Sequence, residues 1–428
     1  MKTLMTASLI TLTLGLTATS YAAKDIYFNS QNDYVRPQTA RSSTSYFVVG
    51  QQAAHSSPYY NATIQKAVGC SFDLEGNPLP AGKIAFSNMS LNPDVASNGT
   101  NFLVVWLQTA VASGENKQVR GQLISAQGEK IGAEIIINES WPGLYGEVAV
   151  ASDGYDYFVI WTESYHSTRV LGRKVAADGT LGEVKVILGM GFARSIDIES
   201  NKYPYETYRS YMVVYSYYPY NGWNRGYNIC GQLLDFNGNT IIPHTEIATQ
   251  YLDQHHENVN ISTNGFSYLV AWDTAQSSTA YAGIRGRAVY SFVNVFSYMY
   301  FLSSEMQIST NDGTQIEVAP AAAGGRDYYY LVTWQAEDTG SLGIFGQFVT
   351  YYGTKLGEEF RLNAKTYRDQ QCPAVASDSR IYSNPNPADL RRFVIWASNH
   401  TDAGSHRLPR DGYNLYGDFF TTSDRNPK

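Results

Sequence analysis

Histidine, arginine and tyrosine are the side chains whose placement in this sequence could support chemistry. Of 7 His in 428 residues, six (His55, His166, His255, His256, His400 and His406) fall in segments that read as two kinds of loop, and only His244 falls elsewhere. The same loops carry Tyr59, Tyr60, Trp141, Tyr145, Tyr165, Arg169, Arg194, Tyr217, Tyr218, Tyr220, Trp223, Arg225, Tyr367 and Arg368. Sugars present apolar C–H faces that stack on aromatic rings, and their carboxylates and hydroxyls need planar donors. Breaking a uronate glycoside by β-elimination requires a base for the C5 proton, a cation or donors on the carboxylate, and an acid for the leaving oxygen. Tyr, His and Arg supply all three roles without a metal.

Other chemistries are not written in the chain. It has no Ser-x-Asp-x-Gly-x-Thr-Trp box, no repeated Asp-x-Asp-x-Asp loop, no Gly-x-Ser-x-Gly elbow, no His-Glu-x-x-His site and no phosphate-binding loop. His255-His256-Glu257 could offer a metal ligand, but adjacent His side chains diverge, so no metal site is assigned. A cofactor is not required, and a structural metal ion remains compatible with the sequence. The net charge of −7 gives no basic footprint for nucleic acid, so an anionic ligand would need a local positive pocket.

The elements that must position these loops are strands. The 34 Tyr and 36 Gly against 31 Lys plus Arg read as β-rich. One pattern recurs seven times, with a β-rich run ending in an aromatic: Phe102-Leu-Val-Val-Trp106, Phe158-Val-Ile-Trp161, Met212-Val-Val-Tyr215, Leu269-Val-Ala-Trp272, Leu331-Val-Thr-Trp334 and Phe393-Val-Ile-Trp396. Phe47-Val-Val-Gly50 is the first, without its aromatic. A strand carrying a glycine follows each: Gly69, Gly121, Gly172, Gly231, Gly286, Gly346 and Gly417. Gly/Asn/Asp turns and period-two alternation complete a four-stranded unit, repeated about every 50–70 residues. This predicts an all-β, seven-bladed β-propeller with antiparallel blades. The glycines then allow close approach within the sheet, and the aromatics fill the space between blades. The last unit has three strands, so the strand near Asp25-Ile-Tyr-Phe-Asn29 is expected to complete it and close the ring. The apolar hairpin Ser291–Phe301 lacks its Gly turn and reads as a longer outer hairpin packed on its neighbour, or as a contact surface.

Residues 1–22 read as a signal peptide: Lys2, an apolar run from Leu4 to Leu16, and Ser20-Tyr-Ala22 before the cut. Residues 23–428 would then be a single secreted or periplasmic domain, a monomer with no membrane insertion. Cys70, Cys230 and Cys372 cannot all pair and read as buried thiols.

In blade number, export and loop composition the chain resembles the seven-bladed propeller lyases that cleave ulvan and related uronate polymers. That family is similar in carrying His, Tyr and Arg on consecutive blades. Here Tyr145 and His166 flank one blade, Arg194 and Arg225 the next, and His256 opens the one after. The resemblance implies His166 and Tyr145 as acid and base, with Arg225 and Arg194 as carboxylate neutralisers. It places His255, His256, His55, Tyr59, Tyr218, Trp223 and Arg368 against an acidic polysaccharide. A non-catalytic glycan-binding propeller is the alternative. Its mark, near-identical sites repeated between blades, is missing, since Thr162-Glu-Ser-Tyr-His166 has no counterpart in the other units.

Overall fold

The computed structural model describes residues 24–26, 32–54, 66–109, 117–141, 144–164, 167–189, 191–202, 205–218, 226–249, 254–276, 280–293, 297–310, 317–325, 327–338, 341–364, 369–377, 390–398 and 414–422. Their strands form seven antiparallel sheets, the blades of a β-propeller. The innermost strands, in blade order, are Asn32–Arg41, Ser90–Ser97, Leu144–Ser152, Ala193–Ser200, Gln254–Thr263, Glu317–Gly324 and Gln370–Ala376. Each packs beside the innermost strand of the next blade, and the last packs beside the first. Blade 5 adds a short strand, Met306–Gln307, paired beside its outer hairpin. No helix among the described residues is long and apolar enough to cross a membrane.

Burial peaks in the second strands and is lowest in the fourth, while the innermost strands are partly open to the axis. Second strands such as Phe102–Gln108 and Tyr157–Ser164 are buried nearly throughout, because neighbouring blades cover both faces. Fourth strands such as Pro78–Asn88 alternate between exposed and part-buried. Apolar side chains gather between blades rather than in one centre. One cluster joins Leu103 and Val105 of blade 2 to Val159 and Trp161 of blade 3. Another joins Phe393 and Ile395 of blade 7 to Tyr46 and Val48 of blade 1. The strand-ending aromatics sit in these seams: Trp161, Trp272, Trp334 and Trp396 are buried there, and Tyr215 takes the place in blade 4.

The repeated glycines share one register. Gly69 pairs with Val49, Gly121 with Val105, Gly172 with Ile160, Gly231 with Val214, Gly286 with Ala271, Gly346 with Thr333 and Gly417 with Ile395. A Cβ on Gly172 would come within 2.5 Å of the Phe158 ring, and one on Gly231 within 2.8 Å of Ile247. These positions are reserved for neighbouring side chains. Lys24–Ile26 pairs with Gly417, Tyr416 and Leu415 and supplies the fourth strand of blade 7, closing the ring with the two ends of the chain.

Each innermost strand carries a register irregularity in its first half, as between Leu91 and Asp94 or Gln371 and Ala374. Arg36, Asn92, Asn258 and Cys372 take positive φ of 51°, 48°, 46° and 52° there. A bulge at this point turns the strand end and re-aims side chains at the mouth of the ring.

Candidate functional site

The bulged half-strands surround an axial cavity of about 450 Å³. Its wall includes Arg36, Asp94, Glu147, Asp197, Glu199 and Asn260. These side chains tie one blade to the next. Asp94 Oδ2 accepts from the Val150 amide at 2.8 Å, and Asp197 Oδ2 accepts from the Ile261 amide at 2.9 Å and Asn260 Nδ2 at 2.8 Å. Asn260 Oδ1 in turn accepts from the Ala322 amide at 2.8 Å. Burial pushes the Asp94 carboxyl up to about 7, against the backbone hydrogen bonds it accepts. Burial likewise carries Glu147 to about 7, with Arg36 opposing, and raises Asp197 well above the carboxylate range, with Asp94 adding to the rise. Carboxyls that change charge near neutrality can hold or pass protons. The further end of the channel narrows to about 110 Å³, beside Arg41 and the Lys202–Glu199 pair at 3.5 Å.

Beside the mouth, blades 4 and 5 build an aromatic and cationic wall. Arg194, adjacent to the cavity-lining Ser195, is 61% exposed and pairs with Glu257 Oε1 at 2.6 Å. Its guanidinium lies 5.3 Å from the centre of the Tyr227 ring. Tyr218 tilts against Tyr227 at 5.6 Å and meets Phe192 edge-on at 6.3 Å. Two backbone bonds hold the wall: the Tyr218 amide donates to Phe192 and the His256 amide to Tyr227. Burial raises the Tyr227 phenol, with Arg194 opposing, so it is a proton donor at neutral pH. The arrangement offers flat ring surface, a guanidinium and a phenolic hydroxyl within one patch.

Of the residues singled out from sequence, Arg194 and Tyr218 are brought together in this wall. His255 and His256 do not lie on a loop: blade 5's innermost strand begins at Gln254, and the two histidines pair with Ala275 and Thr274. His256 is 1% exposed, its Nδ1 3.1 Å from Thr274 Oγ1 and its ring edge-on to Trp272, so its imidazole belongs to the blade interior rather than the rim. Tyr145 pairs with Glu163 in blade 3. His55, Tyr59, His166, Trp223, Arg225 and Arg368 lie outside the described residues. Arg169 is engaged with the buried Glu163 at 2.6 Å, and His244 with the Tyr215 hydroxyl at 2.8 Å.

The axial carboxylates are functional candidates that the loop-based reading missed, and Glu257, weighed in the sequence only beside a metal, is the partner of Arg194. In the sequence Asp94 and Asp197 stand beside apolar strand residues as any solvent-facing carboxylate would, so no local signal set them apart. Cys70 and Cys230 are free and buried, whereas Cys372 is part-buried at its bulge and lines the cavity. Among the described residues no group of three or more His, Cys, Asp or Glu is placed to hold a metal ion.

No protein-family model and no curated protein matches the sequence. Solved structures do match in shape. A polysaccharide lyase of a new family, an ulvan lyase bound to -[GlcA(1-4)Rha3S]-, is 10% identical, with a TM-score of 0.51 over 95% of this chain and 100% of that one. The polysaccharide lyase Uly1 is 9% identical, with a TM-score of 0.48 over 92% and 91%. The β-propeller domain of the Trilobed protease from Pyrococcus furiosus is 8% identical, with a TM-score of 0.48 over 93% and 99%. At these identities the likeness is one of fold: the chain is a propeller whose structural neighbours include polysaccharide lyases alongside other propellers.

Proposed function

We propose that this protein is a polysaccharide lyase that cleaves a uronate-containing polymer by β-elimination. The observation that carries the reading is the Arg194 wall, a half-exposed guanidinium lying on Tyr227 beside Tyr218 at one sector of the axial mouth. A uronate carboxylate can exchange with Glu257 for Arg194, since an ion pair exposed to water is held by little energy. The sugar's apolar face would then rest on the rings. In the step proposed, a base removes the C5 proton and the electron pair forms the C4–C5 double bond. The C4–O bond breaks, and an acid protonates the departing oxygen. His166 and Tyr145 remain the proposed acid and base, with Arg225 as a second neutraliser. Ser164 and Thr168, which bracket the 166 position, are paired in blade 3, next along the ring from Arg194. Arg36 in the cavity wall below already faces Glu147, so among the described residues that wall offers no spare cation for a second anionic subsite, and the polymer is expected to cross the mouth rather than enter it.

Ulvan is the first substrate to try, because a solved lyase of this fold was bound to a glucuronate–sulfated rhamnose unit. Purified protein mixed with ulvan and other uronate polymers should generate the ultraviolet absorbance of an unsaturated uronate. His166→Ala should remove that signal and leave the denaturation midpoint unchanged. Glycan binding without any absorbance rise across the panel would replace the lyase with a glycan-binding propeller.

A further inference from the structure

The face opposite the Arg194 mouth carries aromatic rings from three blades in one exposed strip. Its centre is the outer hairpin of blade 5, where Tyr290 pairs with Tyr300 and Phe292 with Tyr298. Alternation along each strand puts these four rings on one side of the sheet. Met299 and Phe301 face the other way, onto the core shared with blade 4. Ring centres are 5.1 Å apart for Tyr290 and Tyr300, 5.8 Å for Phe292 and Tyr298, and 5.9 Å for the stacked Tyr298 and Tyr300. At one end Tyr208 of blade 4 stacks on Phe292 at 5.9 Å. At the other, Phe266 meets Tyr290 at 5.1 Å and reaches Tyr351 of blade 6 at 5.6 Å. Tyr298 and Tyr300 remain 44% and 48% exposed.

A contiguous exposed apolar surface marks a binding site, and its composition says for what. Among the described residues of the strip, most rings end in a hydroxyl. The arginines beside the strip, among the described residues, are paired: Arg209 with Asp153 at 2.8 Å and, more loosely, with Glu206 at 3.9 Å, and Arg392 with Asp327 at 2.7 Å. The strip thus complements a partner whose contacting face is uncharged, and it selects by stacking and short-range hydrogen bonds. Pyranose rings match this, with apolar C–H faces for the rings and hydroxyls for the tyrosine tips. We propose that this strip is a second glycan-binding surface, holding a polysaccharide chain on the face opposite the mouth. The inference rests on the reading of the protein as acting on a polysaccharide, but holding a chain requires no cleavage.

The test is affinity electrophoresis through gels containing ulvan or a neutral soluble β-glucan, at low and high salt, with sedimentation velocity in parallel. Wild-type protein should be retarded, and high salt should not abolish the retardation. The Tyr298→Ala/Tyr300→Ala variant alters exposed positions only and should weaken retardation about tenfold at an unchanged denaturation midpoint. Absence of retardation by either polymer, or equal retardation of variant and wild type, overturns the proposal. A wild type that self-associates while the variant is monomeric also overturns it, assigning the strip to a second copy of the chain. Retardation of the wild type that the variant weakens, without unsaturated product, keeps this surface and sinks the lyase. Cleavage with variant retardation unchanged does the reverse.

Discussion

Asp94 and Asp197 each accept a backbone hydrogen bond from the next blade while facing the axial cavity, so the groups that tie the ring together are also its least comfortable charges. Burial raises Asp94 to about 7 and Asp197 well above the ordinary range. The folded state therefore keeps protons that the unfolded chain, with carboxyls near 4, has already released. The stability these groups contribute is whole below about pH 4 and is lost as pH rises towards 7. Glu147, also raised to about 7, acts in the same direction. D94N keeps an acceptor for the Val150 amide and has no charge to bury. Its denaturation midpoint should fall less steeply than wild type between pH 5 and 8 and lie above it at pH 8; identical pH profiles would show that Asp94 ionises in place at no cost. Sequence reading sorted polar residues by loop and so passed over these carboxylates. Nothing local distinguishes Asp94 from a solvent-facing strand residue, because its burial is produced by six other blades. The same limit moved His256 from the rim into the blade, since the strand's start is set by pairing with Thr274 across the sheet.

Strands and their glycines were far more legible, because their cause lies within a single unit. The second-strand run and the third-strand glycine are local chemistry repeated seven times, with a Gly/Asn/Asp turn after most of them, and the shared glycine register follows. The bulges were not legible: a two-against-one pairing depends on the partner strand and the crowding at the axis. Gly172→Ala places a methyl 2.5 Å from the Phe158 ring and should cost about 1–3 kcal/mol in denaturant unfolding. Gly189→Ala is the control. Its nearest neighbour is Val186 at 3.9 Å, and its effect should stay within about 0.5 kcal/mol. Equal effects at the two sites would contradict the packing role assigned to the third-strand glycines.

For the molecule as a whole, closure depends on a few residues at one end. Lys24–Ile26 covers the outer edge of Asn414–Phe420, an edge otherwise open to pairing with other chains. A chain beginning at residue 31 should melt below one beginning at residue 23 and aggregate sooner on heating; coincident melting curves would show that the ring closes without its N-terminal strand. The ring also explains why two faces of one small-sheet protein can be so unlike, with a carboxyl-lined axis beside an Arg and Tyr wall on one side and an aromatic strip on the other. The central claim is that the mouth cleaves a uronate polymer by elimination, and the identity of the new ends decides it. Digestion of ulvan in water enriched in oxygen-18, followed by mass spectrometry, should give unsaturated fragments lighter by one water and free of label. Fragments carrying the heavy oxygen at a saturated end would contradict the account.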